Sequence, residues 1–298
     1  MVETFDQEMK RSTVAVFGST GNLGSALKEV LSSSSYSYHF PSRGDVDVTN
    51  WLELNSYLKW LQPARVVNAA AWTRVDAAES QEAACRKLNV ETPKYLADLS
   101  VTLGFTVIHV STDYVFDGLK KSPYLEDDTK NPISIYGKTK SDGEEFVFAL
   151  EGLKGVVVRT SGLYGFTENN FVMKLSRMAR RGEVARVVDD QITSPTNALD
   201  LAKFIRVLVE GDVEQNLIHF SNSGEGSWFD VASHIYREMG REESLVKAIK
   251  TDQLRLLARR PFYSKLESST GLLTEELSRD WRIAISDFLN DPRVYATF

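Results

Sequence analysis

The chain opens with short apolar runs set between helical patterns. Thr13–Phe17 (TVAVF) is continuously apolar apart from its first residue, and a glycine turn separates it from a helical face made by Leu23, Leu27, Val30 and Leu31. The alternation continues with a short strand at Tyr36–Phe40, a helix over Asn50–Leu61, and a strand at Arg65–Asn68. Helices near Glu79–Leu88 and Pro93–Leu103 precede a strand at Thr106–Val110, and a helix over Tyr136–Leu150 precedes another at Gly155–Arg159. Continuous apolar strands belong to a parallel sheet covered on both faces. The predicted class is α/β, a doubly wound parallel sheet of the Rossmann type with a smaller C-terminal α/β substrate domain.

After Arg159 the rhythm loosens. Helices fit Asn170–Arg181, Asn197–Val209 and Trp228–Met239, with a strand at Leu217–Phe220. The last third is richer in charge and in isolated aromatics. This divides the chain into a dinucleotide-binding domain over 1–162, to which 186–212 returns, and a smaller substrate-binding domain made of 163–185 and 213–298. The serine run at 32–35 reads as a loop.

Composition narrows the function. The 298 residues suit one large or two unequal domains. A net charge of −6 argues against nucleic acid as the main partner, because phosphate-backbone binding needs clustered Lys and Arg. No apolar run approaches the roughly 18 residues of a membrane span. The start, MVETFDQEMKRS, has no apolar signal core, so a cytoplasmic protein is expected. Cys85 is the single cysteine and reads as a helix-face residue, with neither a disulfide nor a metal-ligand pair open to it. His39, His109, His219 and His234 show no ligand spacing, and His109, inside a strand, reads as a buried hydrogen-bonded residue. Trp228, Phe229 and Ile235 read as core of the smaller domain.

Gly18-Ser19-Thr20-Gly21-Asn22-Leu23-Gly24 lies between the first strand and the first helix. Glycines there let the chain turn tightly and approach a pyrophosphate, while helix N–H groups face the anion. The spacing is Gly-x-x-Gly-x-x-Gly, and the second strand runs into Pro41-Ser42-Arg43 without an acid at its tip. A hydroxyl and a guanidinium suit a 2′-phosphate, so NADPH is the expected cofactor with NADH left open; Arg43 reads equally as a solvated surface residue. Asp47 and Val48 could contact the adenine edge, and Ala69, Ala70 and Ala71 are small enough for a cofactor to lie against, although core packing also favours alanine.

Tyr136 and Lys140 stand four apart at the start of a helix, hence on one face. A nearby ammonium favours phenolate and brings a phenol near pKa 10 toward the working range; it could also hold the nicotinamide ribose. The preceding strand ends in Ser111-Thr112-Asp113-Tyr114, which adds a hydroxyl beside the cofactor. Together these form a donor set for a carbonyl oxygen that becomes an alkoxide.

The stretches GSTGNLG, NAAAWTRVDAAES, HVSTDYVFDG, SPYLEDD, NPISIYGKTKSDGE, VVDDQITSPT and RRPFYSKLE, spread from Val14 to Glu267, resemble those of extended short-chain dehydrogenases/reductases, specifically of dTDP-4-dehydrorhamnose reductases. The resemblance implies reduction of the 4-keto group of a nucleotide-linked 4-keto-6-deoxysugar, with Tyr136 as proton donor and Lys140 as its tuning partner and ribose anchor. It implies Thr112 as the hydroxyl that orients the carbonyl, Asp113 and Tyr114 as pocket lining, and Asp190-Gln191 near the substrate. It also gives weight to Arg260 as a diphosphate contact, which Arg255 and Arg259 could share; a solvated helix face would look the same. A homodimer stays open under the resemblance.

Three positions depart from the family pattern. Gly162 stands where a Trp is expected, Tyr263 where an Asn is expected, and Arg282 follows Trp281 in place of a Glu, so a magnesium-linked dimer is not carried over. Two other functions compete. Nucleotide-sugar dehydratases share the Ser-Thr-Asp run but follow it with a Glu base, here Tyr114, and epimerases recycle their cofactor. The regulatory β subunit of methionine adenosyltransferase is similar in sequence and acts as a binding partner, so the fold alone does not guarantee catalysis.

Overall fold

The computed structural model describes residues 13–32, 36–150, 152, 155–168, 170–211 and 214–296. Residues 33–35 of the serine run and the polar start at 1–12 lie outside the described residues. Six parallel strands form the central sheet: β1 (Thr13–Phe17), β2 (Ser37–His39), β3 (Arg65–Asn68), β4 (Thr106–Thr112), β5 (Gly155–Thr160) and β6 (Leu217–His219), in the spatial order β2-β1-β3-β4-β5-β6. The strands are buried on both faces because alternate residues enter different cores. Val14, Val16, Val67, Ile108, Val156 and Val158 pack on one side with helices α1 (Asn22–Leu31) and α6 (Ala198–Glu210). Ala15, Phe17, Val66, Val107 and Val157 pack on the other with α2 (Trp51–Leu61), α3 (Thr92–Leu103) and Val147 of α4 (Ile135–Phe148). This two-sided pattern is the reason the strands read as unbroken apolar runs.

Local chemistry sets the helix ends. The Asn50 side chain accepts from Leu52 N–H at the start of α2, and Ser134 accepts from Gly137 N–H at the start of α4. The helix expected near Glu79–Leu88 is instead two short helices, Val75–Ala78 and Glu82–Arg86, followed by a π-helical turn at Lys87–Glu91 that runs into α3. The wide turn faces Asn89 inward. There its amide bonds the Trp72 N–H at 2.8 Å, the Trp72 carbonyl at 3.2 Å and the Thr139 hydroxyl at 3.1 Å. Periodicity cannot show such an insertion, which is a common device near functional sites.

A second apolar core is built from α5 (Phe171–Arg180), α7 (Trp228–Glu238) and α8 (Trp281–Asn290), through Val172, Met173, Val231, Ile235, Ile285 and Phe288. A parallel ladder of Ala185–Val188 with Val246–Ile249 belongs to this core, so the chain rejoins the sheet only with α6. Two-residue ladders, Leu163–Tyr164 with Thr196–Asn197 and Ile192–Thr193 with Gly226–Ser227, lie where the two cores meet. Among the described residues no helix is long and apolar enough to cross a membrane.

Candidate active site

The strand order reverses at β1 and β3, which is where doubly wound sheets open a crevice at their C-terminal ends. A cleft of about 950 Å³ lies there. Its first wall is the glycine turn. Gly18 has φ +82°, and a Cβ on it would lie 2.6 Å from the Ala69 carbonyl; one on Gly24 would lie 2.1 Å from Gly18 O. Helix α1 begins at Gly21 with no side-chain cap and no acidic residue in its first turn. The turn is thus a cradle of backbone N–H groups held against Ala69 and Ala70, as a pyrophosphate requires. Thr20 is exposed at its crest and Leu23 is buried in the sheet core. Asn22 lines the cleft while its side-chain oxygen accepts from both the N–H and the hydroxyl of Thr167, across the cleft.

The second wall carries Ser42, Arg43, Asp47 and Val48, with Ala69, Ala70 and Ala71 between them and the sheet. An acid does reach the tip of β2. Asp45 turns back to accept from the Ser42 hydroxyl at 2.6 Å and its N–H at 2.8 Å, a contact the strand-tip reading missed because it lies three residues on. Arg43 is exposed on the cleft rim. Asp47 is held below its ordinary range, chiefly by the Thr49 N–H.

The third wall comes from the end of β4 and the start of α4. Thr112 accepts from Tyr114 N–H at 3.3 Å and donates to Asp113 Oδ1 at 3.0 Å. Thr112 and Tyr136 both line the cleft. Tyr114 stands edge-on to Tyr136, with ring centroids 5.6 Å apart. Burial raises the Tyr136 phenol above its ordinary value. The lowering expected from Lys140 is not what this site shows. Lys140 Nζ donates to the Val110 carbonyl at 2.7 Å and lies 3.2 Å from His109 Nε2, and its own pKa is pushed down to about 8 by burial. Asp113 is buried and raised to about 6 by desolvation. Cys85 is buried 3.2 Å from Thr139 Oγ1, and burial pushes its thiol up, which fits a packing residue.

The far end of the cleft belongs to the second core. Gln191 lines it and donates to Thr251 Oγ1 at 2.9 Å, while Asp190 accepts from Thr251 N–H. Arg260 is held by Asp76, with Nη2 to Oδ2 at 2.6 Å, and by the Ala258 carbonyl at 3.2 Å. Arg260 is therefore occupied by protein groups and stands outside the cleft lining. Tyr263 donates to Glu225 at 2.8 Å. Gly162 has φ +54°, and a Cβ there would meet Trp228 Cη2 at 3.1 Å. Trp228 lines the cleft and packs edge-on against Phe171, centroids 4.5 Å apart. Reading Trp228 as core alone was incomplete: its ring is shared between the second core and the cleft wall. Only contact with a residue 66 positions away reveals this, so no sequence signal announced it.

A glycine cradle that shares one cleft with a hydroxyl at a strand end and with a phenol and a lysine on the next long helix marks the class: an NAD(P)-dependent oxidoreductase of the short-chain type. The model of the RmlD substrate binding domain family matches residues 12–294, and the chain belongs to that family. It is 35% identical to the dTDP-4-dehydrorhamnose reductase of Streptomyces griseus, over 91% of this chain and 91% of that protein. It is also 35% identical to the dTDP-4-keto-6-deoxy-D-glucose reductase of Streptomyces niveus, over 84% of this chain and 87% of that one. The solved dTDP-4-dehydrorhamnose reductase of Bacillus anthracis, in complex with NADP, shares 32% identity and a TM-score of 0.88, covering 93% of this chain and 98% of that one.

Proposed function

We propose that this chain uses NADPH to reduce the 4-keto group of a nucleotide-linked 4-keto-6-deoxysugar. One observation carries the reading: Thr112, Tyr136 and Lys140 line the same cleft of about 950 Å³ as the glycine turn. The similar proteins named as dTDP-4-dehydrorhamnose and dTDP-4-keto-6-deoxy-D-glucose reductases support the substrate class.

The residues present fit the cofactor, because the turn from Gly18 to Gly24 lines the cleft and packs so closely that a Cβ on Gly18 or Gly24 would collide with backbone. The turn from Gly18 to Gly24 would hold the pyrophosphate, Arg43 the 2′-phosphate, Asp47 and Val48 the adenine edge, Ala69 to Ala71 the flat face, and Lys140 the nicotinamide ribose. Bound NADPH supplies the hydride. Thr112 and Tyr136 then act on the substrate oxygen: Thr112 orients the carbonyl, and Tyr136 donates its proton to the developing alkoxide. The raised phenol suits this direction, since it keeps the proton on Tyr136 until a stronger base forms. Asp113, Tyr114 and Gln191 shape the sugar end. Arg260 would reach a diphosphate only on leaving Asp76.

Tyr114 argues against dehydration, because burial raises its phenol far from any role as base at neutral pH. The proposal is tested by NADPH oxidation against a panel of dTDP-4-keto-6-deoxysugars, with NADH beside it. Net, stoichiometric NADPH consumption that is lost in Tyr136→Phe supports it. Tight NADPH binding with no turnover of any sugar would favour a binding role, and epimerised product without NADPH loss would favour an epimerase. Cell fractionation tests the cytoplasmic setting the reading carries, and light scattering tests the homodimer.

A further inference from the structure

Behind the proposed donor set, three wholly buried polar side chains form a line: Asn68 at the end of β3, His109 in β4 and Lys140 in α4. The backbone fixes the direction of this line. Asn68 Oδ1 accepts from Ala70 N–H at 3.2 Å, so the Asn68 amide cannot turn over without setting N–H against N–H. Its Nδ2 therefore faces His109 Nδ1, at 3.1 Å, as a donor. The imidazole must accept at Nδ1, and its one proton sits on Nε2, 3.2 Å from Lys140 Nζ. An ammonium there would meet that proton with a proton of its own. An amine would accept it and still donate to the Val110 carbonyl, 2.7 Å away.

We propose that His109, locked by Asn68 with its ring proton on Nε2, is a positioning residue that weakens the hold of Lys140 on its proton, so that the ammonium proposed to anchor the ribose is lost on the basic side of neutrality. The other groups around Lys140 do not reverse this. Glu144, one turn further along α4, is turned to Arg159 and Lys130. Cys85, from the short helix Glu82–Arg86, is an un-ionised thiol at neutral pH, and Tyr136, one turn earlier, is an un-ionised phenol. Burial acts on Lys140 in the same direction as His109. The consequence is a lysine whose charge changes within the working pH range, at the position proposed to hold the ribose.

The kinetic arm of the test rests on the reductase reading; the spectroscopic arm does not. In the full chain labelled with ¹⁵N-histidine, His109 is expected as the Nε2–H tautomer from pH 7 to 9, and as the Nδ1–H tautomer in Asn68→Asp, whose carboxylate accepts the ring proton. An Nδ1–H tautomer or a doubly protonated ring in the wild type overturns the proposal, whatever the enzyme turns over. His109→Gln offers Lys140 an amide oxygen that accepts from an ammonium. The basic limb of NADPH-dependent keto-sugar reduction should then move up by about one pH unit, roughly a tenfold gain in relative rate above the limb. A variant that keeps its melting temperature but leaves the limb in place overturns the proposal as well.

Discussion

Arg159 of β5 holds Glu144 of α4 through two hydrogen bonds, Nε to Oε1 at 2.9 Å and Nη2 to Oε2 at 2.8 Å, where both side chains are shielded from solvent. The pair fixes α4 to the sheet one turn beyond Lys140. Glu144 keeps its charge because the guanidinium holds its carboxyl below the usual range against the opposing effect of burial. Removing Arg159 takes both of these bonds from the buried Glu144 and leaves it to Lys130, whose Nζ donates at 3.1 Å. Arg159→Met is therefore expected to lower unfolding free energy by about 3 kcal/mol, read by urea denaturation. Arg159→Met with Glu144→Met should recover most of that loss. A single variant as stable as the wild type would show that the pair contributes nothing.

Gly18 offers a test of the cradle itself. Alanine there adds a methyl group 2.6 Å from the Ala69 carbonyl and must adopt φ +82°. The left-handed backbone alone costs about 1–2 kcal/mol, and the contact adds to it. NADPH affinity is expected to fall more than tenfold in calorimetric titration, with a lower melting temperature. Unchanged affinity would place the dinucleotide elsewhere.

Asp113 gives a pH signature. Its folded pKa of about 6 lies above the ordinary 3.8, so the folded state binds more protons between those values. Stability is therefore expected to fall as pH rises from about 4 to 6, with the full penalty present above 6. Asp113→Asn keeps a hydrogen-bond acceptor for Thr112 and removes the penalty, and should be more stable than the wild type at pH 7 by on the order of 2 kcal/mol. Denaturation midpoints at pH 4.5 and 7 check both the sign and the window.

Trp228 is expected to act on substrate binding rather than on chemistry. Trp228→Ala removes the ring that covers Gly162 and leaves Phe171 without its edge-on partner. The KM for the sugar nucleotide should rise roughly tenfold with kcat little changed, the sign of lost uniform binding. Equal KM values would place the substrate away from this wall.

What could be read from the sequence was local. The parallel sheet follows from unbroken apolar runs. The glycine turn follows from its place between strand and helix, and the shared face of Tyr136 and Lys140 from their spacing of four. What could not be read depends on segments brought together from a distance. Arg260 looked like a phosphate contact until Asp76, 184 residues earlier, took it as a partner. Gly162 looked like a lost aromatic until Trp228 was found against it. Lys140 was expected to act on the phenol because the two share a helix face, but the buried carbonyl of Val110 and the ring of His109 claim its nitrogen. Ala185–Val188 likewise finds its strand partner in Val246–Ile249, some 60 residues on, a pairing that no local pattern announces.

The bond from Asn22 to Thr167 ties the glycine turn to a segment packed on the other core. The two halves of this molecule are thus not free to melt as strangers. Loosening the C-terminal lobe tugs at the very loop proposed to greet the dinucleotide, and a loaded loop would in turn lend its firmness to that lobe. Heated with its cofactor, the protein should come apart in one sharpened step, even where the empty chain softens in two.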